Sequence, residues 1–595
     1  MNIFFGKGKF VNYYSDESEW RWLFKNAIDW DKILPLYLKS YPTEEGFESS
    51  EEVLSFFEEM LNQTGAWAGE TLEPRAEILD RKGAGTLENG KTVPGEALSA
   101  TYKEAAELGF HGVSLPKEYG GLDLPLSLSG LQFVQVGRAC GATLVQLAFF
   151  SSIAEMINRF GSPWMKEKFI PKIVEGTLSG AMALTEPGSG SDLGGLKTTA
   201  VKQDDDTYLI NGTKCFISNG GGGIQLVLGR VKGDPENLHG ISLFLVEQEI
   251  EGQEGLNYRV TKNEDKMGLH GSFTTEIVYE NTVGHLIGKQ KDGFLYMLNL
   301  MNAARFAVGA QSLGGIENAL HYARNYAQER KQFGKPIAEL PLMKRNLEDY
   351  ETERDGIRAL LVDTLSHFDI YRYYDRKMGE EDGDLTKEEK QEFEDAKIWV
   401  RKRTPLIKYY SCEAYTHISQ KALQVLGGYG FIREYPLERL HRDSFAPLLY
   451  EGTSQIQALM AMKDLLKYSM KDPKRFFKNI FFKHPKVSLE GKDWERDFKK
   501  THYRFKKKMI KLLLKTLNPP KNAKILKPKE WMNEERVNVL MIHAETLCQA
   551  SSYMETLRVL VDHANKDEER KNLYFRYSKL VLPRLESIYK DWEIK

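Results

Sequence analysis

Cysteine is scarce in these 595 residues: four occur, at 140, 215, 412 and 548, with no Cys-x-x-Cys pair and no metal-like spacing. Neither a zinc site nor a disulfide framework is expected, and the thiols read as reduced and intracellular. Residues 1–9 lack the apolar stretch of a secretory signal, and no window holds the roughly 18 apolar residues a membrane span needs. A cytoplasmic protein is expected. Net charge is nearly absent as well, −2 at pH 7, so nothing draws the whole chain to polyanions and no nucleic-acid partner is expected. There is no internal repeat, no low-complexity tract and no Gly-x-Gly-x-x-Gly strand-to-helix fingerprint, which removes the ground for a Rossmann domain or NAD.

What the chain has is length and a packed composition, 41% hydrophobic and 28% charged. Such a length argues for about three to five domains. Large apolar residues recur at helical intervals over 16–70, and further helical stretches at 97–108, 126–160 and 163–176 follow a stretch punctuated by Gly and Pro at 83–96. Short apolar runs at 208–210, 224–228 and 241–246 are then separated by turn signals including Asn211-Gly212 and 220–223, the pattern of a small β domain. The helical period returns over 294–331, 339–372 and 385–426, with the acidic stretch 379–384 a solvated loop. The expected division is a helical extension at 1–80, a helical domain at 81–180, a β domain at 181–288, a helical bundle at 289–467 and a further helical domain at 468–595. Within the last, Lys and Arg outnumber acids nearly four to one around 471–527, with apolar residues interleaved. That stretch reads first as a solvated helix face and second as a surface for anionic membranes.

Four dense motifs stand in order. They are Leu184-Thr185-Glu186-Pro187-Gly188-Ser189-Gly190-Ser191-Asp192, then 329–336 with Arg330, Gln332 and Phe333, then Gln424-Val425-Leu426-Gly427-Gly428-Tyr429-Gly430, then Tyr450-Glu451-Gly452-Thr453-Ser454-Gln455-Ile456-Gln457. The first has the small residues of a loop whose backbone approaches a ligand, although a plain Gly-Ser turn has the same composition. In the last, Glu451 sits beside a glycine at a helix start, as a general base would, and equally as a carboxylate ahead of a helix capped by Thr453.

Together these motifs resemble the acyl-CoA dehydrogenase family over roughly residues 90–467, in an extended form similar to the bacterial 3-(methylthio)propanoyl-CoA dehydrogenase-like subfamily. The resemblance implies a mainly α fold with a central β domain (α+β): N-terminal helical domain, middle β-barrel, C-terminal four-helix bundle and an additional C-terminal helical domain. It implies FAD, an acyl-CoA substrate, and α-proton removal by Glu451 with β-hydride transfer to the flavin, giving 2,3-enoyl-CoA. Two hydrogen bonds to the thioester oxygen, from the N–H of that glutamate and from a flavin ribityl hydroxyl, stabilise the enolate in the family. Some relatives carry the base on an earlier helix instead, at the place of Ala304, which cannot act as one.

By the same resemblance Thr185, Ser191, Phe216, Ser218, Arg330, Gln332, Phe333, Gln424, Gly428, Thr453 and Gln455 are cofactor-binding residues. Ser191, Asn302, Arg305, Tyr450 and Gly452 are substrate-binding. Phe216 and Ser218 replace the usual Trp and Thr, and Asn302 replaces an acidic residue. Because Arg330, Gln332, Phe333, Gln424 and Gly428 resemble residues that hold FAD across a subunit boundary, a homodimer is expected, with a tetramer left open. Electron-transfer flavoprotein is the implied acceptor and fatty-acid β-oxidation the implied setting. The alternatives are a flavin-containing DNA-binding relative with little turnover and an acyl-CoA oxidase that uses O₂.

Overall fold

The computed structural model describes residues 11–38, 40–379, 383–471, 491–518 and 533–594. Residues 1–9, 380–382 of the acidic stretch, and 472–490 and 519–527 of the basic stretch lie outside them.

Three helices open the chain: α1 (Ser18–Asn26), α2 (Trp30–Tyr37) and α3 (Ser50–Trp67). Ser49 caps α3 by accepting the Glu52 N–H, and a π-helical turn carries α3 into α4 (Glu73–Lys82). The stretch at 83–96 is not a plain linker. It forms the hairpin of β1 (Gly85–Glu88) and β2 (Lys91–Pro94), turned by Asn89 and Gly90 with φ of 52° and 83°, the left-handed pair of a tight hairpin. Next come α5 (Glu96–Glu107), α6 (Leu126–Ala139), α7 (Gly141–Phe160) and α8 (Pro163–Val174). The expected helix 126–160 is thus broken, because Cys140 adopts an extended backbone.

The central sheet comprises β3 (Ser179–Ala183), β4 (Thr199–Lys202), β5 (Tyr208–Ser218), β6 (Gly223–Val231), β7 (Ile241–Glu247), β8 (Arg259–Asn263) and β9 (Thr274–Leu286). Pairings β6–β4, β4–β5, β5–β9, β9–β7 and β7–β6 close a ring, the expected barrel, with β3 and β8 along its flanks. Ala181, Ile210, Val227, Phe244, Tyr258 and Tyr279 fill it. Asn211-Gly212 is not a turn. It lies within β5 at a register shift, where a Cβ on Gly212 would stand 2.5 Å from the Thr198 hydroxyl oxygen. Close approach requires the glycine there.

Two long helices, α9 (Gly293–Glu329) and α10 (Pro341–Lys377), flank the small hairpin β10 (Lys331–Gln332) and β11 (Lys335–Pro336). After them come α11 (Lys387–Leu426), α12 (Pro436–Asp443), α13 (Ala446–Leu449) and α14 (Ser454–Lys471), then α15 (Asp493–Leu517), α16 (Glu534–Met541), α17 (Ala544–Lys566) and α18 (Lys571–Ile594). Trp20, Phe24, Trp30 and Phe57 share one apolar core with Phe306, Leu361 and Tyr410 of the bundle and with Leu557, Tyr577 and Trp592 of the last helices. Each such side chain contributes about 1.5–3 kcal/mol by leaving water. Glu19 on α1 pairs with Arg570, and the Trp22 indole donates to Asp567 at 2.9 Å. On α15 the basic face is partly answered within the chain: Arg504 pairs with Glu586, and Lys508 and Lys511 with Glu593. No helix among the described residues is long and apolar enough to cross a membrane.

Candidate active site

Between α13 and α14 the backbone turns a corner at two consecutive left-handed residues, Glu451 at φ 56° and Gly452 at φ 88°. For a glutamate this conformation costs energy and persists only where its surroundings impose it. They do so through the carbonyls. Arg305 Nε donates to the Glu451 carbonyl at 3.3 Å, Gln457 Nε2 to the Glu451 and Gly452 carbonyls at 3.0 Å each, and Lys408 Nζ to the Gly452 carbonyl at 2.7 Å. All three donors are buried. Thr453 then caps α14, its hydroxyl oxygen accepting the Ile456 N–H at 3.4 Å. No ion pair within 4.0 Å joins Arg305 or Lys408 to the Glu451 carboxylate among the described residues, and the Glu451 N–H has no acceptor among them. Burial pushes the Glu451 carboxyl above its ordinary value, and the charges of Arg305 and Lys408 offset only part of the rise.

Arg305 is no surface residue: it is 3% exposed, and burial lowers its guanidinium against the pull of Glu451. It also donates to Asn302 Oδ1 at 3.4 Å, which brings two residues expected at the substrate to the same corner. The Tyr450 hydroxyl is turned to Gln311 instead, which donates in turn to the Gly141 carbonyl at 2.9 Å. The exposed Gln455 amide donates to Glu545 of α17 at 3.1 Å.

The loop after β3 is built around Glu186. Its carboxylate accepts from the Lys197 and Thr198 amides, the Thr198 hydroxyl and Lys214 Nζ, the last at 2.8 Å. Burial alone would raise this carboxyl, but Lys214 and these donors hold it below the ordinary value, while burial brings the Lys214 ammonium down to about 8. The Cys215 N–H donates to the Thr185 carbonyl at 2.9 Å and docks the loop on β5. There a bulge between Lys214 and Ile217 holds Phe216 at φ 59° with 65% of its surface exposed. For a large aromatic this left-handed, open position is strained.

The remaining residues gather at one end of the bundle. Arg330 ends α9, Phe333 and Gly334 turn the small hairpin at φ 53° and 81°, and Gln424 and Gly428 lie where α11 ends. Phe333 is 88% exposed and Phe431 92%. No hydrogen bond joins this end to the Thr185 loop among the described residues. The donor set suits FAD. The Thr185, Ser191 and Ser218 hydroxyls have no hydrogen-bond partner among the described residues, Phe216 offers a ring face, and Arg330 suits a diphosphate. Nothing stands within 4 Å of a Cβ placed on Gly188 or Gly428, so the backbone there lies open to approach.

Lys408, Gln457, Gln311 and the Glu186–Lys214 pair were not expected from the sequence. A signal for Lys408 exists, because it is the single charge in the otherwise uncharged run 404–412.

Family profiles match most of the chain: acyl-CoA dehydrogenase N-terminal domain over 57–177, middle domain over 181–282, and C-terminal domain over 291–377 and 384–466. Acryloyl-CoA reductase (NADH) of Anaerotignum propionicum is 33% identical over 415 residues, 69% of this chain and 94% of that one. The 3-methylmercaptopropionyl-CoA dehydrogenase of Ruegeria pomeroyi is 31% identical over 442 residues, 71% of this chain and 73% of that one. An FAD-complexed acyl-CoA dehydrogenase from Bacillus anthracis superposes with a TM-score of 0.73 at 24% identity, covering 92% of this chain and 89% of that one, a likeness of fold.

Proposed function

The chain belongs to the acyl-CoA dehydrogenase family, and from that premise we propose that Glu451 is the base which removes the α-proton of an acyl-CoA thioester. It is an FAD-dependent oxidoreductase that acts on a CH–CH bond. Bound FAD supplies the two-electron acceptor for the hydride leaving the β-carbon, so that proton and hydride together leave a 2,3-enoyl-CoA. A thioester α-hydrogen is a far weaker acid than a protonated carboxyl, each pKa unit of mismatch costing about 1.4 kcal/mol. The raised carboxyl of Glu451 narrows that gap, and its N–H, without an acceptor among the described residues, is available to the developing enolate oxygen.

The observation that carries this reading is the corner itself, in which buried donors hold the main chain of Glu451 and leave its carboxylate without a salt bridge among the described residues. The test is Glu451→Gln in the FAD-loaded enzyme under anaerobic acyl-CoA. The yellow flavin is expected to stay unbleached while the thioester still binds; bleaching at the parental rate removes Glu451 from the role.

Thr185, Ser191, Phe216 and Ser218 would hold the flavin on one chain. Arg330, Gln332, Phe333, Gln424 and Gly428 would reach the dinucleotide of a second chain, in a homodimer. The exposure of Phe333 and Phe431 at one end of the bundle supports that assignment. Asn302, Arg305, Tyr450 and Gly452 would border the thioester. Electron-transfer flavoprotein as acceptor, a place in β-oxidation and a cytoplasmic location complete the reading; the four cysteines are buried and unpaired, which suits a reducing compartment. Peroxide formation under air separates an oxidase, and a gel shift at physiological salt separates a DNA-binding relative, a reading the internal ion pairs of α15 disfavour. Peripheral membrane contact would use the exposed stripe of Lys500, Arg504, Lys507 and Lys511, and flotation with anionic liposomes at low salt tests it.

A further inference from the structure

Lys408 has no exposed side-chain surface, and its neighbours on α11 from Thr404 to Cys412 are buried with it. A buried ammonium needs compensation, because desolvation penalises the charged form by several kcal/mol unless hydrogen bonds and an opposing charge repay it. Its hydrogen bond goes to the Gly452 carbonyl at 2.7 Å. The groups acting on it are Cys412, Glu451, Arg305 and Glu413. Burial raises the Cys412 thiol, so it stays neutral, Arg305 is a like charge, and Glu413 is exposed. Of the two acids acting on it, Glu451 is therefore the less solvated, being half-buried where Glu413 is exposed. Yet Lys408 is bonded to the main chain and not to that carboxylate, and the same holds for Arg305. Around Glu451 itself the charged or titratable groups are Arg305 from α9, Lys408 from α11 and the adjacent Tyr450.

A direct ion pair would make Glu451 a weaker base and hold its oxygens away from substrate. A cation bonded to the next carbonyl does something different: it pins the left-handed corner and favours the carboxylate form by its charge alone, leaving both oxygens able to take a proton. Gln457 already donates to the Gly452 carbonyl, so the ammonium is not needed merely to satisfy that oxygen.

We propose that Lys408 is a positioning residue for the proton transfer, holding the Glu451–Gly452 corner from α11 while Arg305 holds it from α9 and setting a positive charge beside the base. This rests on Glu451 being the base.

The experiment uses full-length, FAD-loaded enzyme as Lys408→Met, Lys408→Arg and Glu451→Gln. Anaerobic flavin bleaching is followed across pH with whichever of butyryl-, octanoyl- and palmitoyl-CoA bleaches the parent fastest. Rate rises with pH as Glu451 ionises, so loss of a neighbouring positive charge moves this acid limb upward. Lys408→Met is expected to move it up by about one pH unit and to slow the plateau on the order of tenfold to a hundredfold, with thioester affinity unchanged. Lys408→Arg is expected to return the limb to its parental position. An unmoved limb in FAD-loaded Lys408→Met overturns the inference. Should that variant fail to load, Lys408→Gln, which keeps a donor and loses the charge, reads the same limb with the same two outcomes. Parental bleaching in Glu451→Gln defeats the base assignment and this inference together; a silent Glu451→Gln with a parental limb in Lys408→Met defeats this one alone.

Discussion

The Leu269 amide donates to a carboxylate oxygen of Asp443 at 2.6 Å, and through that bond the β domain grips the end of α12, eight residues before Glu451. Leu269 is itself left-handed at φ 53°, and a Cβ on the preceding Gly268 would stand 2.8 Å from the Arg442 carbonyl carbon. The contact is thus close on both sides. Asp443 is buried; burial raises its carboxyl, and Arg439 and the Leu269 N–H draw it back.

Asp443→Ala leaves that buried N–H unpaired, at a cost of about 1–3 kcal/mol. Urea unfolding of the FAD-loaded enzyme should show the loss. Stopped-flow bleaching should slow as well, because the segment leading to the corner loses its anchor.

Gly452→Ala is expected to be more damaging than its size suggests. At φ 88° an alanine is strained, and its Cβ would stand 2.7 Å from Gln457 Nε2, which is buried and bonded to two carbonyls. A stability loss of about 1–3 kcal/mol should accompany a fall in bleaching rate at unchanged FAD content.

For Glu451 the folded value is raised above that of the unfolded chain. A group of that sign adds its stability below the unfolded pKa and loses it as pH rises through the folded one. Above its folded pKa the ionised base therefore burdens the fold. Glu451→Gln should melt no lower than the parent at neutral pH, an advantage that shrinks in acid, as calorimetry across pH would show.

Phe333 occupies the first turn position of a two-residue hairpin whose residues both have positive φ, where asparagine is the favoured residue. Phe333→Asn should relieve strain and raise the monomer's stability by up to about 1 kcal/mol. If the side chain meets a second copy, sedimentation and FAD retention should reveal a weaker dimer. Unchanged association would assign the phenylalanine no such role.

Gly356 lies inside α10, where alanine normally stabilises a helix by about 1 kcal/mol. Here a Cβ would stand 2.4 Å from the Tyr577 ring of α18. Gly356→Ala should therefore lower the melting temperature, which measures how tightly the last helices are seated on the bundle.

The sequence made the long helices legible because their apolar period is long and repeated, and it picked out Glu451 and the Thr453 cap because both lie in one dense run. It misplaced the Asn-Gly signal. Asn89-Gly90 turns a hairpin while Asn211-Gly212 runs through a strand, and the difference is set by Thr198, which packs closely against Gly212, whereas Gly90 faces Leu256 and Arg259. Lys408 escaped for a related reason: a lysine on a long helix ordinarily extends to solvent, and only tertiary packing buries it. Gln455 belonged to a legible motif, but its partner Glu545 lies in a helix the motif does not contain.

The pairing of Glu19 with Arg570, and of Trp22 with Asp567, bears on how this polypeptide is made. Trp22 is made 545 residues ahead of Asp567, so its indole stays without its final partner while the intervening chain is synthesised. Until residue 570 has emerged, that ring also lacks the Arg570 guanidinium that covers it at 4.1 Å in the folded protein.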